Sequence, residues 1–389
     1  MSRGLCGKVL GVPASGIVTI RDMKLTMTGV VGLESGDPDF DTPVHVKEAA
    51  VGALRENFTH YTPNSGIVPL REAIAKKLKE KNGMETNANT EIMVTTGGMG
   101  ALFTATQAVL SPGDEVLVPD PYWTSNMMQI LMAGGKGVSV PLEYSKETGF
   151  RLDPDSFMEL ITDRTRAIVI NTPHNPTGMV ASKEQLKALA EIAQDHDLYV
   201  FSDEPYEDIV YDGARHYSIG SFPGMKERTI TAFSLSKTYA MTGWRIGYLA
   251  APREIIEQAY KVQLYSVNGV NAIAQKAALA ALEGPHDFLV DMVAEYKRRR
   301  DMIVERLNSI KIFECWLPQG AFYVFPRLVD VRMTSMEFVK FLLREGKMAT
   351  TPGSIFGERG EGFVRFAYSF SFDYIQEAMD RIEGAILGL

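Results

Sequence analysis

The chain has 389 residues, 45% hydrophobic and 23% charged, ordinary globular usage that excludes disorder and, at roughly 100–200 residues per domain, leaves room for two domains. Lys plus Arg number 40 against 48 Asp plus Glu, a net charge of −8 without basic runs, which argues against nucleic acid or an anionic membrane as partner. The two cysteines, Cys6 and Cys315, form no close-spaced pair, so a disulfide scaffold and a thiolate zinc knuckle are excluded and a reducing cytoplasm is expected.

The first twenty residues, MSRGLCGKVLGVPASGIVTI, loosely imitate an export signal, but Gly7, Lys8, Gly11 and Pro13 interrupt the apolar stretch. An N-terminal arm lying on the fold or on a partner subunit is expected. No apolar run reaches the roughly 18 residues of a membrane span. EIMVTT, Glu91 to Thr96, reads as a strand followed by the helical GMGALFTATQAVL. At their junction TTGGMGAL lets backbone N–H groups approach an anion at a helix N-terminus. It is neither GxGxxG nor a Walker A, and alone it is weak. EVLVPD, from Glu115, is the next strand, and DPYWTSN follows it. Trp123 there is either a core aromatic or a stacking surface for a flat ring.

RAIVIN, Arg166 to Asn171, is a strand, and NTPHNPTG makes a loop after it. Asn175 either initiates a turn or points its amide into a strand-end crevice. His174 reads as a loop hydrogen-bonder, and no HExxH or similar spacing suggests a metal site. SKEQLKALAEIAQDH is a helix. LYVFSDE, from Leu198, is a strand that closes on SDEPY. A buried Asp203 needs a cationic partner, such as a protonated ring nitrogen, unless it caps the next helix. Tyr206 could donate to a phenolate oxygen.

RTITAFS, from Arg228, leads into SLSKTYAMTGWRIG, Ser234 to Gly247. Taken alone, its Lys and Arg read as a solvated pair at a strand end. In a strand-end crevice, Lys237 can form a Schiff base, while Ser234, Ser236 and Arg245 can hold a phosphate.

Near-continuously apolar strands alternating with helices predict a doubly wound, mostly parallel α/β sheet, which binds ligands at the C-terminal ends of its strands. After Glu283 the pattern changes. DFLVDMVAEYKRRRDMIVERLNSI is a long amphipathic helix with a basic stripe, and GAFYVFPRL and GFVRFAYSF read as strands. The expected division is an N-terminal arm and part of a small domain over 1–45, a large α/β domain over 46–284, and a smaller α+β domain over 285–389. No repeat or low-complexity linker separates them.

Five of these segments follow five strands. Together they offer a lysine for an aldehyde, an acid for a ring nitrogen, and a Tyr and an Asn for a ring hydroxyl. Cations and N–H groups can take a phosphate, and an aromatic can stack. That inventory describes pyridoxal 5′-phosphate.

From ESGDPDFDTP at Glu34 to VRFAYS at Val364, the chain resembles the fold-type I, class I pyridoxal-phosphate-dependent aminotransferases of the aspartate/aromatic branch. SLSKTYAMTGWRIG is similar throughout to the family's lysine-attachment signature. The resemblance implies that Lys237 carries the cofactor, that Asp203 meets its pyridine nitrogen, and that Tyr206 and Asn175 meet its ring hydroxyl. It assigns the phosphate to the backbone of Gly98 and Met99 and to Ser234, Ser236 and Arg245, and ring stacking to Trp123. Tyr61, in HYTPNSGIVPLREAI, matches a tyrosine that reaches the phosphate of a neighbouring subunit. Arg365 matches the arginine for the substrate α-carboxylate, beside Gly36 and Asn175.

The implied enzyme is a homodimer with shared sites. It moves an amino group from aspartate, an aromatic amino acid or glutamate to 2-oxoglutarate by ping-pong kinetics. The same cofactor residues also suit a cysteine–sulfur β-lyase. A non-catalytic regulator is disfavoured, because a pattern starting by Glu34 leaves no room for a DNA-binding module. Many relatives carry a longer or charged residue where this chain has Met99 and Gly100, so no cation for a second substrate carboxylate is evident there. Pro205 is tolerable after the strand's last ladder bond.

Overall fold

The computed structural model describes Gly4 and residues 6–13 and 16–387. Seven strands form the main sheet: β1 (Ile92–Thr95), β2 (Glu115–Asp120), β3 (Lys136–Pro141), β4 (Thr165–Asn171), β5 (Tyr199–Asp203), β6 (Thr229–Ser234) and β7 (Gly247–Ala250). Their order is β1-β7-β6-β5-β4-β2-β3. β7 is antiparallel to both neighbours, β1 and β6, so β1 runs the same way as the other five. The C-terminal ends of β1, β2, β4, β5 and β6 therefore open on one edge.

Side-chain alternation explains why the sheet is covered on both faces. Leu117, Ile168, Ile170 and Val200 pack with Leu186 and Leu189 of the helix Lys183–Asp195. Their neighbours Val116, Val118, Val169 and Phe201 pack on the opposite face with Ala101 and Leu102 of the helix Gly97–Val109. The helix Lys183–Asp195 starts with a capping box, Ser182 with Gln185, an arrangement worth about 1 kcal/mol. Two strands of the main sheet escaped the sequence reading. β3 is an edge strand with exposed positions, and β7 is a four-residue piece ending the lysine motif.

A second apolar cluster gathers residues after Met292, such as Tyr296, Phe322, Phe338, Val364 and Met379, and Ile20, Val31 and Leu33 join it. Val31–Gly32 pairs in parallel with Met348–Ala349, so the segment before residue 34 packs on the C-terminal unit. Tyr206, Ile209 and Tyr211 belong to the same cluster and link it to the end of β5. The expected strands around Tyr323 and Arg365 form a small antiparallel sheet, with Tyr323–Val324 and Thr351–Pro352 flanking Val364–Ala367. GAFYVFPRL is broken at Pro326, which has no N–H for a ladder, and Arg327–Leu328 pairs elsewhere with Phe313–Glu314.

The helix Asp287–Ser309 spans 23 residues, but its arginines do not form a solvated stripe. Arg299 is buried and donates to Asp39 at 2.7 Å and Glu295 at 2.9 Å. Arg300 is 1% exposed and donates to the Pro318 carbonyl at 2.9 Å and to Asp212 and Asp301, each at 2.6 Å. Arg298 remains outside, on Glu295 and over the Phe372 ring.

Arg300→Ala should therefore lower unfolding stability by about 2 kcal/mol, because it leaves the buried Pro318 carbonyl unpaired and opens a cavity. Arg298→Ala should cost less than about 1 kcal/mol, the range of an exposed ion pair and cation–π contact. Urea unfolding followed by circular dichroism measures both. Equal losses would show that the two arginines are equally solvated.

Candidate active site

Five strand-end loops and three segments of the smaller unit, at Glu34–Gly36, Tyr323 and Arg365, surround one cavity of about 340 Å³, within the range of small-molecule sites. After β1, Gly97 takes φ +75°, and a Cβ there would lie 2.9 Å from Nη2 of Arg245. At Gly247 an added Cβ would meet the Phe233 carbonyl at 2.4 Å and the Gly98 nitrogen at 2.8 Å. Side chains at these positions would separate the loop after β1 from the arginine and from β7. Arg245 itself sits in left-handed backbone, φ +53°, its Nη1 held by the Thr242 carbonyl at 3.0 Å. Ser234 and Ser236 line the same end of the cavity, beside the N-terminus of the helix Gly97–Val109. Hydroxyls, a guanidinium and helix N–H groups converging there suit a phosphate.

At the end of β5, Asp203 is buried. Asn171 donates to its carbonyl at 2.9 Å and to Oδ2 at 3.3 Å. Burial pushes the Asp203 carboxyl up to about 7; the neighbouring Glu204 charge adds to this and an Asn126 hydrogen bond opposes it. No cation of the chain pairs with Asp203 among the described residues. A buried acid without a partner suits a ligand that brings its own cation, such as a protonated pyridine nitrogen. Glu204 is turned away, its carboxylate taken by Ser202, Ser218 and His216. Glu204, Glu207 and His216 approach the spacing of a metal site, but Lys77 and Lys81 already pair with Glu207.

Lys237 follows β6, and its Nζ donates to the Gly36 carbonyl at 2.6 Å. Burial lowers its amine to about 8; Asp37 opposes the shift, and Arg365 and Arg245 reinforce it. An amine that is half neutral near pH 8, well below a solvated lysine, can attack a carbonyl. From the smaller unit, buried Arg365 donates from Nη1 to Asn175 Oδ1 at 2.9 Å and from Nη2 to the Glu34 carbonyl at 2.7 Å. Nη2 also lies 3.5 Å from Thr351 Oγ1, and the buried Nε has no partner, so the chain does not use all five donors of this guanidinium, which lines the cavity. The Tyr206 hydroxyl lies 2.8 Å from that of Tyr323.

The structure brings Gly36, Gly98, Met99, Trp123, Asn175, Asp203, Tyr206, Ser234, Ser236, Lys237, Arg245 and Arg365 to this cavity. Tyr61 is not among them. It is 89% exposed, on a surface shared with Val267 to Ile273. His174 is a loop hydrogen-bonder, 2.8 Å from Thr177, and burial lowers its imidazole to about 3. Glu34, Ser35, Asn171 and Tyr323 also line the cavity and escaped the sequence reading. The first two adjoin Gly36 in ESGDPDF, and Asn171 ends a recognised strand. Tyr323 lies in an apolar run with no polar pattern to mark it.

A family model described as aminotransferase class I and II matches residues 28–382. The chain is 46% identical over 374 residues to an aspartate aminotransferase of Pyrococcus abyssi, covering 96% of this chain and 95% of that one. It is 43% identical to aromatic-amino-acid aminotransferase 2 of Thermococcus litoralis, with the same coverage. The solved structure of an aromatic aminotransferase from Pyrococcus horikoshii superposes with a TM-score of 0.90 at 45% identity, covering 95% of this chain and 99% of that one.

The Lys237 environment makes a prediction for the cofactor-free protein. Below pH 8 its amine is protonated and unreactive; above it, the free base reacts. Acylation of Lys237 by an uncharged amine-reactive reagent, followed by peptide mapping, should reach half its maximal rate near pH 8. A midpoint above pH 10, as for surface lysines, would show that the amine is solvated.

Proposed function

The chain belongs to the class I and II aminotransferases, and on that footing we propose that it transfers the amino group of aromatic amino acids, glutamate and aspartate to 2-oxoglutarate in a two-stage, ping-pong cycle. It is a pyridoxal-phosphate-dependent transaminase. The observation that carries the assignment of roles is the shared cavity. It holds a buried acid without a cationic partner, a half-buried amine of lowered pKa and a buried arginine.

When bound, the cofactor supplies an aldehyde for amines and a cationic ring that takes up the electron pair left on the amino acid Cα. The chain's residues divide the remaining work. Ser234, Ser236, Arg245 and the backbone of Gly98 and Met99 hold the phosphate, and Trp123 covers the ring. Asp203 keeps a proton at the ring nitrogen, because a carboxylate in that buried place is stabilised only by a cation. Tyr206 and Asn175 hold the ring hydroxyl. Arg365, with Gly36 and Asn175, grips the α-carboxylate and orients Cα. Lys237 carries the covalent link, and its Nζ takes the Cα proton as general base and returns it as general acid.

Substrate choice follows from what lines the rest of the cavity. Met99 and Trp123 offer apolar surface, and Arg245, Lys237 and Arg365 are its only cationic side chains among the described residues. Aromatic side chains therefore fit. A second carboxylate must be held by hydroxyls such as Ser35, by water, or by a basic residue of a partner. The relatives do not decide between substrates, since the aspartate and aromatic aminotransferases lie at 46% and 43% identity.

We assign the enzyme to the cytoplasm and to a homodimer. Cys6 and Cys315 are both free, which suits a reducing compartment. No helix among the described residues is long and apolar enough to cross a membrane. Tyr61, Tyr265, Val44 and Leu54 are all exposed, as a surface that meets a second subunit requires. In this reading residues 46–284 form the cofactor-binding unit, and residues on either side form the smaller one.

Mixing the holoenzyme with single amino acids should change its visible absorbance with Phe, Tyr, Glu and Asp. A response to Asp with none to Phe or Tyr would show that a further cation enters the pocket. Lys237→Ala should retain the cofactor and lose at least about a thousandfold in turnover, the loss expected from removing the proton carrier and the covalent link. Higher residual activity would place the chemistry on another residue.

Shared sites make a separate prediction. Mixing inactive Tyr61 and Lys237 variants should restore activity as subunits exchange, because one hybrid site is intact. Continued inactivity after exchange, demonstrated by mass spectrometry, would confine each site to one chain.

A further inference from the structure

We infer that Tyr323 is a positioning residue: its hydroxyl sets the direction of the Tyr206 hydroxyl, and its ring holds the Arg365 guanidinium. The inference rests on the proposed role of Tyr206 toward the cofactor's ring hydroxyl.

Tyr323 stands where the smaller unit meets the end of β5. It is 2% exposed, in the short strand Tyr323–Val324, and it lines the cavity. Its ring meets that of Tyr206 edge to face, centroids 5.8 Å apart at 85°, and the hydroxyls are 2.8 Å apart. Tyr323 is the only hydrogen-bond partner of the Tyr206 hydroxyl among the described residues. One hydroxyl of such a pair donates and the other accepts. When Tyr323 donates, the Tyr206 proton is free to point into the cavity, and Tyr206 becomes a stronger donor through cooperative polarisation.

The same side chain meets two other parts of the site. The Arg365 guanidinium carbon lies 4.5 Å from the Tyr323 centroid, with Phe356 at 4.8 Å. The two rings support the cation proposed to grip the substrate carboxylate. A Cβ on Gly36 would lie 1.9 Å from the Tyr323 hydroxyl. The glycine in ESGDPDF thus makes room for this hydroxyl while its carbonyl receives Lys237. One tyrosine contacts the proposed supports of the ring hydroxyl, the substrate carboxylate and the lysine.

The test uses the holoenzyme and the pH at which its visible band passes from the acid to the alkaline form. A donor to the cofactor's phenolic oxygen stabilises the negative charge there. It therefore favours the deprotonated, alkaline form and lowers the midpoint. Tyr206→Phe should raise the midpoint by about one unit, the scale of one hydrogen bond to a charged group. Tyr323→Phe, which keeps the ring and its burial, should raise it by roughly 0.3 unit and leave KM for Phe and Glu unchanged. In the Tyr206→Phe background, Tyr323→Phe should add no further shift.

Tyr323→Leu, which also removes the ring, should raise KM for all amino acids several-fold while kcat falls less. If Tyr206→Phe shifts the midpoint and Tyr323→Phe does not, the inference is overturned while the role of Tyr206 stands. If Tyr206→Phe does not shift it, that role falls and the inference with it. Equal shifts from Tyr323→Phe with and without the Tyr206 hydroxyl would overturn the coupling. An unchanged KM in Tyr323→Leu would overturn the support of Arg365.

Discussion

Asp203 and Arg365 are buried and Lys237 is half-buried around one cavity, and each spends its hydrogen bonds on neutral groups rather than on the others. Asn171 serves Asp203, the Gly36 carbonyl serves Lys237, and Asn175 with the Glu34 carbonyl serves Arg365. Removing these groups from water without pairing them favours their neutral forms, which is why the acid titrates upward and the amine downward. An internal Asp–Lys or Asp–Arg pair would relieve this cost and remove the reactivity with it. The arrangement is relieved instead by a ligand that brings a cationic ring, an aldehyde and anionic groups. The residues present fit pyridoxal phosphate in that sense.

Such a site needs a frame that does not collapse onto it. The main sheet provides one because apolar layers cover both its faces and its parallel strands open on one edge. β7 contributes by exception. Its antiparallel run between β1 and β6 brings Gly247 against Gly98 and the Phe233 carbonyl. That contact holds the lysine-bearing loop after β6 beside the glycine loop after β1. The opposite wall comes from another core, in which Val364, Phe366 and Tyr323 pack with Leu33 and Val31. Arg365 alternates with these residues along its strand and so faces the cavity.

Much of this was legible in the sequence. Apolar runs marked the strands of the main sheet that carry the loops, and the loops after them held the chemistry-bearing residues that now line one cavity. What was not legible has physical causes. Asn171 and Asn126 act on Asp203 through the fold, and nothing in their local sequence separates them from turn or helix residues. Tyr323 sits in an apolar run, where a tyrosine is indistinguishable from core until the Tyr206 hydroxyl is found opposite it. The fate of the basic stripe of the long helix was not legible for a related reason. Helix periodicity shows which residues share a face, but not that Asp39 and Pro318 approach from distant segments to receive two of its arginines.

The two walls also separate two kinds of recognition. The proposed cofactor contacts, apart from Tyr61, come from loops of the main sheet. The proposed carboxylate contacts come mainly from Gly36 and Arg365, whose segments pack on the smaller unit. Asn175 is the bridge, because its backbone N–H is held by Asn171 at 2.8 Å and its side chain receives Arg365 at 2.9 Å. Tyr206 is a second bridge, since it leaves β5 of the sheet yet packs in the apolar cluster of the smaller unit. These two side chains and their partners, Arg365 and Tyr323, join the walls at the cavity, as does the hydrogen bond from Lys237 to the Gly36 carbonyl. In the proposed reading, selection among side chains falls to lining residues with no part in either bridge, chiefly Met99 and Trp123.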